Sequence, residues 1–179
     1  MARGSPTPGV EVQGPIVQAL IASVEIVRPE VLRILASHGI SAASPRPSYP
    51  LPEVLRCLDD IQARVGRVTV RAIGQQVPRH TAFSPHITSF AMALFLMNAA
   101  YRANHQGAKD IGGYHHEPVD GQSSRMRCDN PYPCDFNQGV LEGLYARFTG
   151  RGTLRLRLEH ESEDCRARGA TVCTYRLRW

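Results

Sequence analysis

Lysine is almost absent from this sequence of 179 residues, because Lys109 is the only one and arginine supplies nearly all of the positive charge. The formal net charge of +5 is moderate. The basic stripe that is typical of nucleic-acid-binding proteins is therefore only partly present, and nucleic acid is not the expected partner.

Long apolar runs are also missing. The longest, residues 90–101, is shorter than the roughly 20 residues that a membrane-spanning helix needs. The first residues lack the apolar core of a signal peptide. We therefore expect a cytoplasmic protein without a membrane span.

The short motifs of common enzyme classes are absent as well. The sequence has no dinucleotide-binding fingerprint, no P-loop and no serine–histidine–aspartate pattern in a strand–turn–helix context. No ATPase or DNA-binding segment is recognisable, so any signal is expected to pass to another protein or to a dimer partner. We expect a protein without catalysis of its own.

Five cysteines are present, an odd number that does not suit a secreted disulfide framework. In a cytosolic protein, clustered cysteines favour metal binding or simple burial over disulfides. Cys57 lies within an amphipathic helical pattern and is interpreted as an inert core thiol.

Helical spacing of apolar residues dominates the first hundred positions, and strand-like alternation follows Gly107. The predicted helices cover 15–38 with a break at Pro29, 52–66, 68–77 (where a strand is the alternative), 86–107 and 135–149. The predicted strands cover 111–120 and 122–130, joined as a hairpin, and 153–160 and 171–179.

Together these elements predict an α+β fold, with a helical N-terminal half followed by a small antiparallel sheet packed on a glycine-bearing helix. Residues 1–13 are expected to form a flexible tail, and residues 14–179 a single domain. In the glycine-bearing helix, Gly139 and Gly143 lie four residues apart on one face. Because glycine costs helix stability, this pair predicts close approach to another backbone or to a ligand.

The last two predicted strands bring chemistry-bearing side chains to one face. Alternate residues of a strand point to opposite sides, so His160 and Cys173 both face inward if the strands pair. Cys165 then lies in the turn between them. Cys134 lies just before a helix start, where the helix dipole favours a thiolate.

Three cysteines and a histidine form an ordinary ligand set for a closed, tetrahedral zinc site. The spacing of Cys134, His160, Cys165 and Cys173 matches none of the short zinc-finger patterns. Thiols without a metal and a solvated histidine therefore remain the alternative. Other candidate ligands are Glu159, Glu161, Glu163 and Cys128.

The opposite faces of these strands carry arginine. Arg155, Arg157, Arg176 and Arg178 are expected to form a basic stripe on the outer face of the terminal hairpin. The stripe is interpreted as a solvated surface, with a polyanion site as the alternative.

Residues 134–150 resemble the conserved helix of the 4-vinyl reductase-like domain family, a small α/β ligand-binding domain. The resemblance covers about the last fifty residues and continues through an acidic-cysteine, glycine, cysteine ending. The matching positions are Cys134, Gly139, Gly143, Phe148, Gly150, Cys165, Gly169 and Cys173.

In aromatic-sensing members of that family, the sensory domains of phenol- and xylene-responsive bacterial activators, zinc is bound by three cysteines and a glutamate. Cys134, Cys165 and Cys173 fall where those cysteines lie. About five additional residues precede Cys165, so the glutamate position falls on Ser162 or shifts among residues 159–163. Strand parity selects His160 as the fourth ligand.

The resemblance implies a bacterial, zinc-stabilised sensor domain that binds a small molecule and acts as a homodimer or through a partner regulatory protein. The pocket is expected between helix 86–105, the segment 73–83 and helix 135–149, and its apolar walls favour an apolar or aromatic ligand. Candidate pocket residues are Phe83, Phe90, Leu94, Met97, Tyr101 and Tyr145.

Two further hypotheses follow because the family's fold is similar to that of heme nitric-oxide sensors and of vesicle-tethering subunits. An interaction adaptor predicts a large exposed apolar patch and no internal cavity. A heme-binding sensor, or an accessory protein of tetrapyrrole metabolism, requires an axial ligand facing an apolar cavity. His86, His115 and His116 are the candidate axial ligands.

Overall fold

The computed structural model describes residues 9–22, 29–41, 43–107, 110–150, 152, 155–161 and 165–179. Within this part of the chain the predicted α+β fold is confirmed. The helices are α1 (Gly14–Ala22), α2 (Pro29–Ser37), α3 (Leu51–Arg64), α4 (Arg67–His80), α5 (Phe90–Ala103) and α6 (Cys134–Thr149). The strands are β1 (Glu11–Gln13), β2 (Ser48–Pro50), β3 (His105–Gln106), β4 (Tyr114–Asp120), β5 (Ser123–Cys128), β6 (Arg157–His160) and β7 (Cys173–Arg178).

Two small antiparallel sheets flank the helices. The first has the order β2-β1-β3, and the second has the order β4-β5-β7-β6. In the second sheet His160 of β6 pairs with Tyr175 of β7, and Cys128 of β5 pairs with Cys173. This register brings the N-terminal end of β7 and the C-terminal end of β6 to the same edge as the start of α6.

The ordered domain begins earlier than the sequence pattern predicts. Residues 1–8 of the expected tail lie outside the described part of the chain. Val10 and Val12, however, are buried, and Val12 belongs to β1, which pairs with both β2 and β3. The sequence around β1 has too few apolar residues for the strand to be recognised. The strand forms by pairing with residues about 35 and 90 positions further along the chain.

Helices α4 and α6 pack with their backbones in close contact, as the glycine pattern predicts. A methyl group on Gly139 would collide with the carbonyl oxygen of Arg71, and one on Gly143 would collide with that of Gln75. The same two α4 residues bind buried Glu142 through their side chains, with Arg71 Nε at 2.9 Å and Gln75 Nε2 at 2.8 Å from its carboxylate. Backbone contact and a buried ion pair thus fix α6 against α4.

The region 68–77 lies within α4 and is helical. Its buried side chains include Val70, Ile73 and Val77, which recur at helical spacing. Packing of this face against α6 favours the helix over the alternative strand. No helix in the described part of the chain combines the length and apolar character needed to cross a membrane.

The outer face of the second sheet is not the uniformly basic stripe that was expected. Arg157 and Arg178 are exposed and opposite each other in the β6–β7 pair. Arg176, however, donates to Glu161 at 3.0 Å, and exposed Arg155 lies before β6. Because Glu159 of β6 and Glu161 directly after it lie among these arginines, the face carries mixed charge.

His38 joins the end of α2 to α3 and gives the fold a pH dependence. Its Nδ1 lies 2.7 Å from Glu53 and its Nε2 lies 2.9 Å from Asp60. Burial alone lowers the pKa of His38, but the hydrogen bonds to Asp60 and Glu53 outweigh burial and raise it above 6.5. Because the pKa is higher in the folded state, this stabilisation is fully present below the unfolded pKa and is lost as the pH rises through the folded pKa.

We therefore expect His38→Gln to lower the melting temperature at about pH 6 and to have a smaller effect at about pH 9, where His38 is neutral. Thermal unfolding at a series of pH values measures this difference. His86→Gln, at an exposed position, is the control and should show no such trend. A difference between wild type and His38→Gln that stays constant with pH would contradict the assignment.

Candidate metal centre and ligand cavity

Four side chains from separate elements converge at one edge of the second sheet. Cys134 begins α6, His160 ends β6, Cys173 begins β7, and Cys165 lies in the connection between the two strands. Their ligand atoms all lie within 4.8 Å of one another. The three cysteines are buried and His160 is half-buried. The structure therefore brings together the four residues that strand parity, the turn and the helix start indicate.

The distances suit a tetrahedral ion. The Sγ of Cys134 lies 3.8 Å from that of Cys165 and 3.0 Å from that of Cys173. Zinc–sulfur bonds of about 2.3 Å in a tetrahedron separate two sulfurs by about 3.8 Å. A small adjustment of the Cys134–Cys173 pair thus gives the geometry of a closed site. All five cysteines of the chain are free thiols.

Within the cluster, the surroundings of Cys173 favour its thiolate form. Hydrogen bonding from Cys134 lowers the pKa of Cys173, and His160, the Arg166 backbone N–H and the Arg166 guanidinium act in the same direction. The same bond with Cys173, together with burial, raises the pKa of Cys134, and the backbone N–H of Ala167 acts in the opposite direction. The Arg166 and Ala167 donors come from the short 3₁₀ turn Arg166–Arg168 that follows Cys165. A thiolate with such donors is the form in which cysteine binds metals.

His160 is held in place for a ligand role. Its ring stacks on Tyr175 with the centroids 4.6 Å apart and the planes 21° from parallel. Its Nε2 atom is buried and has no hydrogen-bond partner among the described residues. An unpaired buried nitrogen is costly, so an ion bound through Nε2 would make the arrangement more favourable than it is without the ion.

The alternative ligands in the described part of the chain lie outside the four-residue cluster. Exposed Glu159 is opposite Arg176 across the β6–β7 pair. Glu161 accepts hydrogen bonds from Arg125 and Arg176 on the outer face. Cys128 is buried in β5 and does not belong to the four-residue cluster. Glu163 lies outside the described residues.

A small cavity lies between α4, α5 and α6, and none of the four cluster residues lines it. Its volume is about 50 Å³, which is space for a few water molecules or a ligand of similar size and far below the several hundred Å³ of a typical cofactor pocket. The lining residues are Ile16, Val77, Pro78, Thr81, Phe83, Met97, Ala100, Tyr101, Asn104, His105, Tyr114, Tyr132, Phe136, Val140 and Leu144.

Three of the six predicted pocket residues, Phe83, Met97 and Tyr101, line this cavity. The other three, Phe90, Leu94 and Tyr145, are buried in the core and do not line it. The ring of Phe90 packs edge-on against Tyr145 at 5.2 Å and against Trp179 at 5.0 Å. Trp179 thus packs beside the first turns of α5. Within α5, only residues in the last turns line the cavity.

Sequence reasoning missed His105, which lies in the cavity wall. Its Nδ1 lies 2.7 Å from the carbonyl oxygen of Tyr101 and its Nε2 lies 2.8 Å from the hydroxyl of Tyr132. Since a carbonyl only accepts, Nδ1 carries the proton and Tyr132 donates to Nε2. Burial lowers the pKa of His105 to about 4, so the ring is neutral at neutral pH.

The histidines proposed as axial ligands for a heme do not line the cavity. His86 is exposed, His115 bonds Asp129 at 2.9 Å, and His116 bonds Ser124 at 2.8 Å. The cavity volume is also too small for a porphyrin. In this conformation, neither these three histidines nor the volume of the cavity fits a heme.

Exposed apolar residues are few on the described surface. Phe95 and Met92 on α5 are 74% and 42% exposed. The other large exposed apolar side chains, Leu32, Val68 and Val119, lie on different elements. The pair on α5 is smaller than the patch that the adaptor hypothesis predicts, and the presence of a cavity also departs from that hypothesis.

Comparison by sequence finds no relatives. No protein-family model matches the chain, and no curated protein matches it. The resemblance to the 4-vinyl reductase-like family therefore remains a hypothesis.

Comparison by structure finds close similarity of fold. An H-NOX protein from S. oneidensis in the Fe(II)NO ligation state matches with a TM-score of 0.67 and 17% identity, over 93% of this chain and 98% of that one. An oxygen-binding H-NOX domain related to soluble guanylate cyclases matches with a TM-score of 0.60 and 18% identity, over 93% and 94% of the chains. A T. tengcongensis H-NOX variant matches with a TM-score of 0.63 and 17% identity, over 93% and 96%. At this level of identity the matches establish that the chain has the fold of H-NOX domains.

Proposed function

We propose that this protein is a zinc-stabilised, small-molecule-binding regulatory domain that acts without catalysis. The observation that carries the proposal is the convergence of Cys134, His160, Cys165 and Cys173, whose ligand atoms lie within 4.8 Å of one another. The zinc ion is structural, because four protein ligands complete a tetrahedron and leave no open position for a substrate or water.

The chain's own residues fit such an ion. Three thiolates and a neutral imidazole around Zn²⁺ leave one net negative charge, which the half-buried Arg166 guanidinium and the adjacent backbone N–H groups offset. The ligands come from α6, β6, β7 and their connection, so a single ion ties together segments that are distant in sequence. Its binding free energy therefore contributes to the stability of the C-terminal half.

The regulatory role rests on the cavity and on the fold. Aromatic and aliphatic walls, with His105 and three tyrosines at one end, suit a small apolar or aromatic molecule. A ligand of only a few atoms fits the cavity in this conformation, whereas a larger one requires the rings around His105 to move apart. Since the domain has no catalytic group of its own in this proposal, the response passes to a second copy or to a partner regulatory protein.

The first test is metal analysis together with a visible absorption spectrum, on protein purified without added cofactor. One zinc ion per chain and no visible absorption supports the proposal. Protein that is folded but contains no stoichiometric metal would overturn it.

A heme-binding sensor is the second candidate, and the structural neighbours favour it. One of the similar H-NOX structures was determined to probe the function of heme distortion in that family. This chain shares the H-NOX fold over 93% of its length. His105 is a buried, neutral histidine at the wall of the cavity, which is the form that binds iron. A heme requires a much larger cavity and the displacement of Tyr132 from Nε2. Strong visible absorption in the same experiment, or stoichiometric uptake of added hemin, that is lost in His105→Ala would establish this alternative.

A further inference from the structure

Tyr132 connects the wall of the cavity with the metal centre. Its hydroxyl donates to His105 at 2.8 Å on the cavity side. Its carbonyl oxygen accepts from the Arg166 guanidinium at 2.7 Å on the other side. Tyr132 is 3% exposed and its ring stacks on Phe136, with the centroids 4.7 Å apart. The residue is therefore held in one position by contacts at both ends.

Arg166 carries the connection to the cluster. It is the residue directly after Cys165, and its guanidinium lies close enough to the Cys173 sulfur for the two groups to interact electrostatically. The guanidinium thus connects the Tyr132 carbonyl with the segment that carries Cys165. Arg166 is a positioning residue in this arrangement, because it orients and stabilises the thiolate without contacting a ligand in the cavity.

His105 makes the connection sensitive to what the cavity contains. With Nδ1–H donated to the Tyr101 carbonyl, Nε2 has a single lone pair, and the Tyr132 hydroxyl occupies it. A cavity ligand that donates a hydrogen bond to Nε2, or that separates the two rings, must break the His105–Tyr132 bond. The released Tyr132 then loses one of the contacts that fix it, and its carbonyl beneath Arg166 is held only by the ring stacking and by the backbone bonds to Asn130 and Asn137.

We infer that His105, Tyr132 and Arg166 form a hydrogen-bonded relay that couples the cavity to the metal centre. Breaking the relay from the cavity side weakens the binding of zinc, and zinc binding in turn disfavours ligands that break it, since coupling between two sites is reciprocal. The inference rests on the proposed zinc centre and adds its regulation by the cavity.

Substitution of single hydroxyl groups tests the relay, with Zn²⁺ itself as the probe. Tyr132→Phe removes the bond to His105 and keeps the ring on Phe136. Tyr101→Phe is the matched control, because it removes another buried hydroxyl from the same cavity wall, bonded at 2.8 Å to the carbonyl of Ile111. Competition with a coloured chelator measures the dissociation constant of zinc in each variant.

We expect Tyr132→Phe to raise the dissociation constant of zinc about five- to tenfold and Tyr101→Phe to change it by less than about twofold. In an Arg166→Gln background, Tyr132→Phe should have little further effect, because its route to the metal has been removed. The comparison of the two tyrosine variants remains decisive even if Arg166→Gln fails to fold.

Equal effects of the two tyrosine substitutions, or full additivity of Tyr132→Phe with Arg166→Gln, would overturn the relay while leaving the zinc centre intact. Absence of one-to-one zinc binding in the wild-type protein would overturn the zinc centre itself and the relay with it. The two failures are therefore distinguishable.

Discussion

Cys173→Ser is expected to abolish stoichiometric zinc binding and to lower the free energy of unfolding by about 4 kcal/mol or more. Cys173 is fully buried, begins β7 and contacts Cys134 at 3.0 Å. Serine has no thiolate to offer, so the remaining three ligands hold zinc weakly. Without the ion, no metal bonds join the connection around Cys165 to the start of α6. Metal content and thermal unfolding, measured on the same samples, test this expectation.

Cys57→Ser is the matched control for this substitution. Cys57 is also fully buried, and burial raises the pKa of its thiol to about 12, but it lies in α3 away from the cluster. We expect Cys57→Ser to retain one zinc per chain, with a smaller loss of stability that chelator does not increase. Equal zinc content in Cys173→Ser and Cys57→Ser would contradict the assignment of Cys173 as a ligand.

The second large effect concerns the contact of α4 with α6. Gly139→Ala is expected to destabilise the protein by about 3 kcal/mol, which lowers the melting temperature by roughly 10 °C in a domain of this size. The added methyl group would collide with the Arg71 carbonyl oxygen, which belongs to the backbone and cannot rotate away. Alanine's better helix propensity offsets only about 1 kcal/mol of this cost.

Gly152→Ala is the control, because a methyl group there meets no atom within 4 Å. Thermal or denaturant unfolding of the two variants measures the difference. If Gly139→Ala melts at or above the temperature of the wild type, α6 does not pack on α4 as closely as the structure shows.

Strict periodicities made much of the fold predictable from the sequence. The alternation of β6 and β7 correctly paired them and brought His160 opposite Tyr175, because a strand has only two faces. The two glycines on one face of α6 predicted a close helix contact, because a residue without a side chain lets another backbone approach. β1 was missed because three residues with one buried position do not form a pattern.

The cavity was harder to predict than the cysteine–histidine cluster. Phe90, Leu94, Met97 and Tyr101 recur on one stripe of α5, but the stripe meets Trp179 at one end and the cavity at the other. No local pattern distinguishes those ends. The role of His105 depends on Tyr132, which is 27 residues away. Such pairings are set by tertiary packing and carry no signal in the spacing of either residue.

The most direct test of the metal centre is X-ray absorption at the zinc edge, on protein purified without added metal. We expect a four-coordinate shell with three sulfurs at about 2.3 Å and one nitrogen at about 2.0 Å. The nitrogen should disappear from the shell in His160→Ala and the number of sulfurs should fall in Cys165→Ser. A shell of nitrogen and oxygen atoms alone, or a spectrum that neither substitution changes, would show that these four residues do not bind the ion.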